Sequence, residues 1–275
     1  MKELTSSESK AMMVDILNRL DRFCRKNSIN YTLSDGTLLG ARRHKGFIPW
    51  DDDIDVIMPR ADFEKFLRIY KDDRYQIIRA QKGSHFPYFF IRLTDSKTKV
   101  VFDNSSVGER RNTSYKSGLW IDIFPLDNMP DEEHLRNNHT RKVFFLMKLY
   151  RKKVMKQKWY KGQSFFRNLY WFGLKGATVP IPYSWLTKKI HKQMVKYNDR
   201  DTSVCCTYTT SWHPALPLPS APFKSFGEQE FEGNRYMAVN DYDSYLKALY
   251  GDYMQLPPES QRVSRHSYRA FLIED

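Results

Sequence analysis

Residues 34–60 read "SDGTLLGARRHKGFIPWDDDIDVIMPR" and place five aspartates in a 275-residue chain whose formal net charge is +13. In "DDDIDVIMP" four aspartates surround Ile54 and lead into the apolar Val56–Met58, and Pro59 closes the run. Successive side chains of a strand take opposite faces, so the spacing predicts Asp51, Asp53 and Asp55 on one side and Ile54, Val56 and Met58 on the core side. Carboxylates lined up at every second residue repel one another, and a hard divalent cation removes that repulsion. The pattern therefore asks for Mg²⁺ or Mn²⁺. Immediately upstream, Gly36 and Gly40 are expected to bracket a tight turn leading into a short helix. Backbone amides, Thr37 and Arg42 then cradle a phosphate beside the metal, with Arg43, Lys45 and Arg92 as further cations. A solvated turn is the plain alternative for an isolated "DDD", but glycines, basic cluster and acidic strand within so short a stretch favour phosphate chemistry. A calcium loop is excluded, because Val56 stands where that motif needs glycine and Asp62 where it needs glutamate.

Working outward, "GLWIDIFPLD" (118–127) reads as a second strand with Ile121 and Ile123 on one face and Asp122 on the other. Three carboxylates from two strands suit a site of one or two cations that activates an attacking oxygen and neutralises a phosphate in transfer. Asp122 is the expected third ligand and the expected acceptor of the incoming hydroxyl's proton, with Asp51 and Asp52 either orienting a ligand or simply solvated. Thr5 and Glu8 form a capping box ahead of apolar residues at helical spacing, Met13, Ile16, Leu17, Leu20, Phe23 and Cys24. "ADFEKFLRIYK" (61–71) returns to helical spacing, and 75–79, 88–94 and 98–102 have strand composition. Roughly the first 130 residues thus mix helices with a sheet.

From 140 to 200 the chain becomes basic and aromatic at helical spacing; between Arg141 and Lys175 it carries eleven Lys and Arg and no Asp or Glu. That composition predicts a pair of interfacial helices on an anionic membrane surface, the alternative being ordinary helices packed on the catalytic core. Prolines at 214, 217, 219 and 222 mark a loop, and "DYDSYLKALYGDYM" (241–254) a short helix. The three cysteines give no disulfide or zinc spacing and are expected as reduced thiols. The N-terminus lacks the apolar core of a signal peptide and no run is long enough to span a bilayer, so a cytoplasmic protein, peripheral on the inner face of the membrane, is expected.

Three blocks carry a family resemblance: "GTLLGARRHKGFIPWDDDIDVIMPR" (36–60), "GLWIDIFPLD" (118–127) and "FEGNRYMAVNDYDSYLKALYGDYMQLPP" (231–258). Together they resemble the LicD family of phosphotransferases, relatives of fukutin and fukutin-related protein. The resemblance implies an α+β fold, a nucleotidyltransferase-type mixed sheet flanked by helices, here with a basic helical insertion. With the change in composition after 135, the chain is expected to divide into a catalytic core (1–135), the basic aromatic helical segment (136–203) and a C-terminal segment completing the catalytic domain (204–275). The family's acidic pair falls on Asp53 and Asp55 and its third carboxylate on Asp122, as catalytic and metal-binding residues, with Gly36, Thr37, Arg42, Lys45 and Arg92 toward the donor. The implied reaction moves a substituted phosphate, commonly phosphocholine, from CDP-choline or another CDP-alcohol to a hydroxyl of a cell-surface glycan or its lipid-linked precursor. Trp50, Phe47 and the tyrosines are candidates for a cage around a quaternary ammonium, although core packing is the commoner job of such residues. Two other readings stand beside this one: a nucleotidyltransferase acting on RNA or a small molecule, and a non-catalytic basic module. No nucleic-acid-binding motif occurs, so no nucleic acid partner is expected.

Overall fold

The computed structural model describes residues 1–102, 117–155, 162, 164–208, 215–264 and 268–273, so Lys156, Lys158 and Pro214 lie outside the described residues. After β1 (Lys2–Glu3), α1 (Ser6–Lys26) begins at the capping box: Thr5 Oγ1 accepts the Glu8 N–H at 3.2 Å, and the Glu8 carboxylate accepts the Thr5 N–H at 2.8 Å. Its periodic apolar side, Met13, Ile16, Leu17, Leu20 and Cys24, is buried as the spacing requires.

Five strands then form the centre of a mixed sheet: β2 (Thr32–Leu33), β3 (Asp55–Pro59), β4 (Tyr75–Ile78), β5 (Ile91–Asp95) and, after β6 (Thr98–Phe102), β7 (Trp120–Asn128). The order is β2-β3-β7-β5-β4, with β3 and β7 parallel and the other neighbours antiparallel. β7 is buried from Trp120 to Asp127, and both α1 and α3 (Arg60–Ile69) pack on it, which explains why this strand reads as nearly continuous apolar sequence around Asp122. The fold is α+β, with the sheet flanked by helices.

The helical stretch holds α4 (Glu133–Val154), α5 (Phe165–Thr178) and α6 (Tyr183–Met194). Val143, Leu146, Met147 and Tyr150 of α4 meet Leu186, Ile190 and Met194 of α6 in a second apolar cluster beside Cys206 and Tyr208. The chain returns to the sheet through β8 (Val204–Cys206) and β9 (Leu218–Pro219), the hairpin β10 (Phe226–Phe231) and β11 (Asn234–Val239), and α7 (Tyr242–Tyr250). β12 (Tyr268–Leu272), which sequence spacing did not single out, lies between β1 and β6. Cys24, Cys205 and Cys206 are free and buried. Among the described residues no helix is long and apolar enough to cross a membrane.

Two local expectations are corrected. α2 (Asp35–His44) starts at Asp35, so Gly36 and Gly40 sit inside the helix and not around a turn. Gly40 has a packing reason: a Cβ there would lie 2.4 Å from the Gly46 carbonyl oxygen, where the chain turns back over the helix. The acidic strand is also shorter than the alternation suggests. The β3–β7 ladder begins at Asp55 and Asp122, and β2 reaches no further back than Val56, so Asp51–Asp53 have no ladder partner and form the loop leading in.

Candidate active site

Register builds the site. Asp55 opens β3 directly beside Asp122 of β7, and Asp122 is in turn opposite Arg92 of β5. Residues in register on neighbouring strands project to the same face, so Asp55, Asp122 and Arg92 form one row across three strands. Arg92 Nε donates to Asp122 Oδ1 at 2.8 Å, and Trp120 Nε1 donates to Oδ2 at 3.2 Å. The Arg92 guanidinium also lies 4.2 Å from the Trp120 ring centroid, and its side chain is only 5% exposed. At the start of β3, Thr37 Oγ1 accepts the Asp55 N–H at 2.9 Å and thereby ties α2 to the strand.

The acidic loop closes over this row. Oxygens of Asp51, Asp52 and Asp53 lie within 4.8 Å of one another, and Gly36 makes room for them: a Cβ there would be 2.4 Å from Asp51 Oδ2. Burial pushes the Asp53 carboxyl well above the usual range, and the charges of Asp51, Asp122 and Asp52 push it further. Asp55 is raised in the same way by burial, then by Asp53, Asp35, Asp122 and Asp51. Asp35, which sequence reasoning passed over, is a further member; it opens α2 at φ +45°, donates its N–H to the Tyr245 hydroxyl at 3.3 Å, and burial pushes its carboxyl up to about 6.

These residues line a cavity of about 730 Å³. Asp35, Gly36, Asp51, Asp53 and Asp55 form one side, with Trp50 and Phe124; the segment from Tyr250 to Val263 forms much of the other. Asp122 lies behind this lining, 8% exposed. The structure does not bring Arg42 or Lys45 to the cavity: Arg42 bonds Gln229 at 3.0 Å and stacks on Tyr242, and Lys45 pairs with Glu230 at 3.3 Å. The reason is helical period, since Arg43 is seven residues from Gly36 and shares its face, whereas Arg42 is turned about 100° away. Arg43 lines the cavity, donates to the Tyr253 carbonyl at 3.1 Å and keeps a buried Nε without a partner. Phe47 packs on Phe231 and is outside the lining. The aromatic residues that do line it are Trp50, Phe124, Tyr250 and Tyr253. Apart from the third of the blocks that carry the family resemblance, nothing in the sequence pointed to 250–263.

Clustered carboxyls with raised pKa give a signed expectation for stability without metal. Below pH of about 4 the folded and unfolded chains both hold these protons. As pH rises the unfolded chain releases them first and the fold retains them, so stability falls until the folded carboxyls ionise as well, about 6 for Asp35. The melting temperature in chelator should therefore drop between pH 4.5 and 8 more steeply for the wild type than for Asp55→Asn. Parallel curves for the two proteins would show that the cluster is not under electrostatic strain.

A mixed sheet that presents paired carboxylates beside the first turn of a helix is the arrangement of a nucleotidyltransferase-type enzyme. Residues 28–184 match the LicD/FKTN/FKRP nucleotidyltransferase domain, and the chain belongs to this family of transferases. It is 27% identical to the lipopolysaccharide cholinephosphotransferase LicD of Haemophilus influenzae over 285 aligned positions, covering 99% of this chain and all of that protein. A shorter similarity, 38% identity over 80 residues, covers 28% of this chain and 26% of an uncharacterized protein of Rickettsia typhi.

Proposed function

We propose that this protein transfers phosphocholine from CDP-choline to a hydroxyl group of a lipopolysaccharide-type glycan, with Mg²⁺ or Mn²⁺ bound by Asp53, Asp55 and Asp122. The observation that carries this reading is the registered Asp55–Asp122 pair, with Asp53 charge-coupled to both, at the foot of a cavity large enough for a nucleotide. The full-length similarity to a cholinephosphotransferase supports the choice of head group and acceptor. The all-oxygen donor set fits a hard cation: the charged forms of Asp53 and Asp55 are disfavoured by each other and by Asp122, Arg92 neutralises only the rear carboxylate, and oxygens of Asp51, Asp52 and Asp53 crowd within 4.8 Å of one another at the entrance. Such a cation, when bound, supplies charge neutralisation for the donor diphosphate.

In the transfer, the acceptor oxygen attacks the phosphorus that bears choline, a new P–O bond forms, and the bond to CMP breaks with its electrons leaving on CMP. The hydroxyl proton passes to a carboxylate of the cluster. Asp122 is poorly placed for that part, since both its oxygens already accept hydrogen bonds from Arg92 and Trp120. Its part is to hold the cation with Asp53 and Asp55, not to take the proton. Arg43, which lines the cavity, offers its guanidinium to the donor phosphates, and Trp50, Tyr250 and Tyr253 offer aromatic surface to the trimethylammonium group near Asp252.

The test is CMP release from CDP-choline, CDP-ribitol and CDP-glycerol in the presence of choline-free lipopolysaccharide, with and without chelator. Release is expected with CDP-choline and Mg²⁺ or Mn²⁺ alone. Full turnover in excess chelator overturns the carboxylate-metal reading, and preference for another CDP-alcohol overturns the head group.

A further inference from the structure

α5 is turned inside out. Among the described residues its buried positions are Asn168 and Thr178, whereas Phe166 is 78% exposed, Tyr170 59% and Leu169 52%, with Val179 just past the helix end 70% exposed. At 100° per residue the exposed apolar positions fall on one arc, and Asn168, Trp171, Lys175 and Thr178 fall on the opposite one. That inner arc is held to α4 by polar and cation–π contacts. Lys152 Nζ lies 3.7 Å from the Trp171 ring centroid, Lys153 Nζ donates to the Thr178 carbonyl at 2.9 Å, and Lys175 Nζ donates to the Lys153 carbonyl at 3.3 Å. Among the described residues the apolar side of α5 is thus left uncovered. α4 adds Phe145, 60% exposed, and α6 adds Trp185, 51% exposed.

Charge identifies what covers it. Residues 134–198 hold sixteen Lys and Arg and no Asp or Glu, while the rest of the chain has 29 basic residues against 32 acidic ones. All of the protein's positive excess thus sits in the segment that carries the exposed apolar helix, and the remainder, with the carboxylate cavity, is slightly negative. A second copy pressed against this face would bring like charge to like charge. A nucleic acid would satisfy the lysines and leave Phe166, Leu169 and Val179 uncovered. An anionic bilayer surface meets both requirements, taking apolar side chains into the headgroup boundary and basic ones onto lipid phosphates. We infer that α5 is a membrane-docking helix that seats the enzyme on anionic lipid through Phe166, Leu169, Tyr170 and Val179, with the surrounding Lys and Arg supplying the attraction.

The experiment is co-sedimentation of the full chain with phosphatidylethanolamine–phosphatidylglycerol vesicles and with phosphatidylethanolamine–phosphatidylcholine vesicles. Binding is expected to the anionic vesicles, at least tenfold tighter than to the neutral ones, and to weaken as salt is raised. The triple variant F166S/L169S/Y170S should lose it with no fall in melting temperature, because these side chains are exposed, and K142E/R167E should weaken it several-fold. Asp55→Asn, which removes a carboxylate of the cavity, should bind vesicles as the wild type does, so that failure of docking and failure of the proposed chemistry are separately visible. Equal binding to both vesicle types, binding to neither, or a dimer in light scattering that the triple variant abolishes overturns the assignment.

Discussion

Asp55→Asn is expected to lower phosphocholine transfer by about a thousandfold or more while leaving the melting temperature unchanged or a few degrees higher. The two effects share one cause. Asp55 sits beside Asp122 in the ladder and is surrounded by the charges of Asp53, Asp35 and Asp51, so its ionised form is disfavoured in the apo fold. Removing that charge relieves repulsion and, on the proposed reading of Asp55 as a metal ligand, weakens cation binding at once. Asparagine keeps the shape, and the backbone N–H that bonds Thr37 is untouched. Asp53→Asn should behave in the same way, since its neighbours are the same carboxylates. Thermal melts with and without Mg²⁺, beside the CMP-release assay, separate the outcomes. A large fall in melting temperature with activity retained would make these aspartates structural.

Arg92→Met is expected to produce the largest loss of stability of any single change at the site, about 3–5 kcal/mol. The guanidinium is the group that neutralises Asp122, and both partners are buried, with side chains 5% and 12% exposed. Without it a buried carboxylate stands unpaired beside Asp55 and Asp53, whose charges add to its cost. Methionine retains most of the packing against Trp120, so the deficit reports the charge and not a cavity. The double variant Arg92→Met/Asp122→Leu should recover a large part of the loss, because it removes the charge that Arg92 balanced. Chemical denaturation of the three proteins measures this directly. If the single variant loses less than about 1 kcal/mol, the pair is solvated and the row across the three strands does not act as a unit.

Much of the architecture was legible because its causes are local. The capping box at Thr5 and Glu8, the apolar period of α1, the strand composition around Asp55 and Asp122, and the basic helical character of 140–200 all depend on residues a few positions apart. The carboxylates Asp53, Asp55 and Asp122 were visible for the same reason. Local pattern failed where the answer lay in packing: Gly36 and Gly40 read as a turn, yet each is a helical position that clears space, one for the Asp51 carboxylate and one for the Gly46 carbonyl. Arg42 was put on the phosphate ahead of Arg43 and Lys45, since composition cannot tell which of three neighbouring cations faces inward.

Helix caps, strand composition and charge clustering are set by covalent neighbours, so the class of fold and the grouping of the acids could be read along the chain. The assembly of the candidate site could not. Asp55 meets Asp122 through a parallel register across 67 residues, Asp122 meets Arg92 through an antiparallel one, and the far wall of the cavity comes from residues 250–263, which share no local pattern with the acidic loop. The same holds for α5: its amphipathic period was in the chain, but which side faces inward depends on what α4 offers, and α4 offers lysines that bind carbonyls and an indole ring. Register, helix rotation and long-range contact are properties of packed elements, and no window of sequence contains them.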